Sequence, residues 1–161
     1  MPRGWPRAIL AVPAMAMLVL VPLAGPAAST SAGEASVGPW VDRMAGNLRD
    51  DPVFVDPAAR PTLSPAEAEQ VRARVAIAGT PVFVAVVPTG AVAEADGDAN
   101  RLAGLVAASV GRPGTFLVVA GGQEGAGSST LARGQAAGRA RAAFRRHPDM
   151  APATLDFIAR V

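Results

Sequence analysis

The chain has 161 residues, half of them apolar, with no cysteine, no lysine and a formal charge of +2. Without cysteine it has no disulfide framework, thiolate metal site, thiol nucleophile or lipid-modified anchor. Arg3 and Arg7 account for the excess charge, and the rest balances thirteen arginines against thirteen carboxylates, so the positive field expected of a nucleic-acid binder is missing.

Residues 1–32 read as a secretory signal. Arg3 and Arg7 form its positive start, Ala8 to Ala24 its apolar stretch, and small residues between Ala27 and Ala32 offer cleavage. The same segment, retained, would be an N-terminal anchor that brings the chain to a membrane, although Pro13 and Pro22 weaken a spanning helix. Residues 33–161 are then one extracytoplasmic domain, large enough to bury a core unaided.

Pro39 opens a short helix with Val41, Met44 and Leu48 on one stripe, ended by Asp50, Asp51 and Pro52. Val53 to Val55 read as a short strand. Ser64, Pro65 and Glu67 have the spacing of a capping box, which predicts a helix with Ala68, Val71 and Val75 inward and Gly79 at its end.

Pro81 to Pro88 (PVFVAVVP) holds six apolar residues, mostly β-branched, between prolines. It is too short for an ordinary helix and suits a central strand with Val82, Val84 and Val86 on one face and Phe83, Ala85 and Val87 on the other. Both faces need cover, as in a parallel sheet wrapped by helices. A loose acidic loop leads to a helix marked by Leu102, Leu105, Val106 and Val110, and Thr115 to Ala120 (TFLVVA) gives a second buried strand. The connection is long enough for a right-handed parallel crossover. Next, the glycine-rich run GGQEGAGSST reads as a flexible turn, either a hairpin tip or a helix entry. An alanine-rich helix is expected from Leu131 to Arg146 and a last one from Pro152 to the end of the sequence, an ending in mid-helix that suggests a piece of a longer protein, with a natural end as the alternative. The fold class is therefore α/β, a central mostly parallel sheet flanked by helices.

The order VDPAARPTLSPAEAEQVRARV, PVFVAVVP, helix, GRPGTFLVVAGG and alanine-rich helix resembles the TPM domain family over residues 45–160, most of all the divergent domains of exported or membrane-bound proteins in high-GC bacteria. The resemblance implies a three-layer α/β sandwich. It also implies either an extracytoplasmic domain acting through protein or envelope contacts or, alternatively, a metal-assisted phosphatase using calcium or magnesium. Asp56, ahead of Leu63 and Ser64, stands where the family has its aspartate. The family's Asn-Gly turn before the second core strand is replaced here by Arg112, Pro113, Gly114 and Thr115.

Other chemistry is sparse. Asp96, Asp98 and Asn100 have the D-x-D-x-N spacing of calcium-loop ligands, but Arg101 stands where such a loop needs glycine and Ala107 where it needs glutamate. The alternative role is a solvated loop in which Asp98 or Asn100 caps the next helix. Gly122 to Ser128 follows a strand with the glycine spacing of a phosphate loop, yet Ser128 replaces its lysine. His147, the only histidine, lies at a helix end before proline, and no G-x-S-x-G turn exists to work with it. Arg133, Arg139, Arg141, Arg145 and Arg146 flank the alanine-rich helix and read as solubilising residues, with contact to anionic lipid or envelope polymer as their functional alternative. The expectation is an exported, non-catalytic domain whose partner is an envelope or membrane protein. Asp56, Asp96 and Asp98 are the metal candidates, for calcium or, in the phosphatase alternative, magnesium, and no cofactor is otherwise expected.

Overall fold

The computed structural model describes residues 38–161; the signal or anchor segment at residues 1–32 lies outside them. Helix α1 (Pro39–Asp50) leads into strand β1 (Val53–Val55), followed by α2 (Pro65–Ala76), β2 (Val82–Val87), a 3-10 helix (Thr89–Ala95), α3 (Ala99–Val110), β3 (Thr115–Ala120), β4 (Gln123–Ser128), α4 (Gln135–Arg146) and α5 (Met150–Ile158). The sheet order is β1-β2-β3-β4. The first three strands are parallel, with Val84 opposite both Val53 and Leu117, and β4 runs antiparallel to β3. This is the α/β fold with a mostly parallel, helix-flanked sheet that the sequence predicts.

Strand alternation builds two cores. Phe83, Ala85, Val87, Phe116 and Val118 meet α1 and α3 on one face; Val82, Val84, Val86, Leu117 and Val119 meet α2, α4 and α5 on the other. The four valines at 84, 86, 87 and 118 are fully enclosed, each side chain contributing about 2 kcal/mol. Phe83 and Phe116, paired across β2 and β3, stack with ring centres 4.6 Å apart. Because the strand order continues in one direction while α2 and α3 lie on opposite faces, the two β-α-β crossovers have opposite hands. One of them is therefore of the rare left-handed kind.

The glycine-rich run is not a flexible loop. Gly121 and Gly122, with φ of 59° and 85°, make the two-residue hairpin turn, and Gln123–Ser128 form strand β4. Gly125 is there because α3 lies directly on it: a Cβ would sit 2.1 Å from the carbonyl carbon of Ala99. Helix α4 starts later than expected, at Gln135, after Gly134 takes a left-handed φ of 79°. Helix α5 begins at Met150, since a proline such as Pro152 fits in a first turn.

Both open edges of the sheet carry a polar side chain. At β1, Val53 N–H donates to Asp51 Oδ1 and Arg72 Nη2 donates to the Val53 carbonyl. At β4, Ala126 N–H donates to Asn100 Oδ1 at 3.2 Å. Such plugs blunt the pairing of another chain onto the sheet.

Candidate functional site

In an open parallel sheet the usual ligand crevice lies beyond the carboxyl ends of the strands. Here that edge receives the N-termini of α1, α2 and α3, whose free amides are natural anion binders. Each is already occupied by a carboxylate of the chain itself.

Glu94, from the 3-10 helix after β2, takes Trp40 N–H on Oε1 at 2.8 Å and Val41 N–H on Oε2 at 2.9 Å. At α2, the Glu67 carboxylate accepts from the Ser64 amide and hydroxyl while Ser64 Oγ accepts from Glu67 N–H, the complete capping box. The bond from the Ser64 hydroxyl, then that from its amide, holds the Glu67 carboxyl below its usual pKa. At α3, Asp98 Oδ1 accepts from Asn100 N–H at 2.8 Å and from Arg101 N–H at 3.3 Å. Those amides, the Asn100 bond first, likewise lower the Asp98 pKa.

The three aspartates singled out by sequence take separate partners. Asp98 is a helix cap. Asp96, in a left-handed turn, pairs with Arg101 in solvent. Asp56 continues the β1 ladder through its N–H to the Val86 carbonyl, is buried, and accepts Ala58 N–H on Oδ1 at 2.8 Å. Its Oδ2 faces Arg43 Nη2 at 2.9 Å, a charge contact without a well-directed hydrogen bond. Arg43 itself lies over the rings of Trp40 and Phe54. Among the described residues, no three metal-ligating side chains gather at one place.

A cavity of about 380 Å³ does open at the carboxyl edge of β3, lined among others by Thr62, Glu67, Gly122, Phe144 and Asp149. None of Asp56, Asp96 and Asp98 lines it. Of its two carboxylates, Glu67 is engaged by Ser64. A larger cleft of about 580 Å³ between α3, β4 and the start of α4 is walled mainly by small and apolar residues. His147 Nε2 lies 3.8 Å from Asp156 Oδ2, a carboxylate that Arg146 and Arg160 already engage.

The charge of the chain is neutral in sum but segregated. Residues 38–130 carry seven arginines and ten carboxylates; residues 131–161 carry six arginines and two aspartates. The α4–α5 region is thus the basic part. Ala136, Ala140 and Ala143 are its buried stripe, while Arg133, Arg141 and Arg145 are exposed. Arg146 and Arg160 share Asp156 at 2.5 and 2.7 Å, and the Arg160 bond is the first cause of a lowered Asp156 pKa.

No protein-family model matches the chain, and no curated protein or solved structure is similar to it at a significant level. No helix among the described residues is long and apolar enough to cross a membrane.

Proposed function

We propose that the chain is an exported, non-catalytic domain of the TPM kind, a three-layer sandwich that works by contact with a protein or with the cell envelope. What carries this reading is the commitment of its carboxylates. Glu94, Glu67 and Asp98 are spent on helix amides at the edge where a ligand would enter, and Asp56 is buried against Arg43. Hydrolysis needs acidic groups that converge on an accessible pocket; here they diverge. The blunted sheet edges turn contact toward the helical faces, of which α4–α5 has the distinctive charge.

The test is thermal denaturation with calcium or magnesium against sodium chloride of equal ionic strength. A specific site at a hundredfold excess over its dissociation constant would add about 2.7 kcal/mol. The expected result is no difference beyond the salt control. A metal-specific rise that disappears in Asp56→Asn would favour the metal-assisted phosphatase instead.

A further inference from the structure

Between α4 and the end of α5 lies a shallow notch of about 570 Å³, bordered by Gln135, Gly138, Arg139, Ala142, Arg146 and Arg160. Gly138 and Ala142 are the small residues along its α4 side. Each guanidinium is held from behind. Arg139 Nη1 donates to the Arg160 carbonyl at 2.5 Å, Arg160 Nε donates to Asp156 Oδ1 at 2.7 Å, and Arg146 Nη1 donates to Asp156 Oδ2 at 2.5 Å. Asp156 thus answers two of the three guanidinium groups, and Arg139 is held by a neutral carbonyl. Asp156 is largely covered, with 17% of its side chain exposed against 45% and 47% for Arg146 and Arg160, so the accessible surface is cationic.

We infer that this notch is a seat for a phosphate group, free or borne on a lipid. Guanidinium forks match phosphate oxygens in two-pronged hydrogen bonds, and groups already held in place lose less freedom on binding. The surrounding exposed Arg141 and Arg145 add attraction at longer range and would orient the helix pair toward an anionic surface. The inference rests on the reading of the chain as a contact domain and gives that contact its chemistry.

The experiment uses the full chain and two probes, inorganic phosphate and vesicles of phosphatidylglycerol compared with phosphatidylcholine. Arginine Nε–H resonances follow phosphate binding in the unmodified chain; co-sedimentation follows the vesicles. Arg139→Gln with Arg160→Gln is expected to weaken binding at least tenfold, while Arg133→Gln with Arg141→Gln, which removes the same charge outside the notch, weakens it less than threefold. A response to inorganic phosphate marks a soluble phosphate ester as the source, and a response to phosphatidylglycerol vesicles alone marks a lipid headgroup; either supports the seat when the loss is confined to the notch pair. No response to either probe, or equal loss in both double variants, overturns it. Metal-dependent phosphoester turnover would overturn the contact reading separately, leaving the binding comparison intact.

Discussion

Arg43 closes over Asp56, its Nη2 2.9 Å from the Oδ2 of a side chain that is 2% exposed. The pair ties α1 to the end of β1, and the arginine is held in turn by Trp40 and Phe54. Removing one partner of such a pair leaves a buried charge without compensation. Because Arg43 is half exposed, water moderates the penalty: Arg43→Ala is expected to cost about 2 kcal/mol in urea denaturation. Asp56→Asn placed in that background should recover part of the loss, so that the double variant is less destabilised than the two single losses added together.

Gly125→Ala is expected to destabilise the chain by about 3 kcal/mol, because the new methyl meets the backbone of Ala99 and Asn100 at 2.1 to 2.4 Å and neither can move without shifting α3. Gly127→Ala is the control. Its nearest contact would be 3.4 Å, and a cost below about 1 kcal/mol is expected from ordinary crowding. Equal losses in denaturant midpoint at the two positions would contradict the packing described for β4.

These two glycines also mark where sequence reasoning stopped. Runs of β-branched residues announced β2 and β3, and the serine–glutamate spacing announced α2, since those signals are local. Strand β4 carried no such signal: Gly125, Ala126 and Gly127 are small so that α3 can lie on one face and α4 on the other. The glycine spacing that suggested a phosphate loop is helix-packing space. Glu94 was missed for a different reason. It caps α1 from 53 and 54 residues away, and no spacing rule reaches that far. Asp98 was legible as a cap because its amides are two and three residues on. The arginines of the alanine-rich helix read as spread around its flanks; only the return of α5 brings Arg160 to the same notch as Arg139 and Arg146.

Glu94→Ala removes both acceptors from the start of α1. The expected cost is about 1–2 kcal/mol, the worth of a good cap combined with a charge at a helix N-terminus. Hydrogen exchange at Trp40 and Val41 should quicken more than at Leu48 in the same helix. Glu94→Gln keeps one carbonyl acceptor and should fall between the wild type and Glu94→Ala.

Glu67, Asp98 and Asp156 all have pKa values lowered by folding from ordinary values of 4.5 for glutamate and 3.8 for aspartate. The unfolded chain therefore binds more protons in the window just below those values, and stability rises with pH across it. The contribution is complete above the ordinary values and is lost as pH falls through the folded ones. Melting temperature should accordingly drop with acidification below 4.5, and Ser64→Ala, which removes the first cause of the Glu67 shift, should make that drop shallower. An unchanged acid profile in Ser64→Ala would contradict the capping-box account.

The most direct test of a domain whose acids serve its fold is phosphoester hydrolysis by the full chain with calcium or magnesium present. The account predicts no turnover of p-nitrophenyl phosphate above the protein-free blank, in the wild type or in Asp56→Asn. Metal-dependent turnover by the wild type that is abolished in a folded Asp56→Asn variant would contradict it.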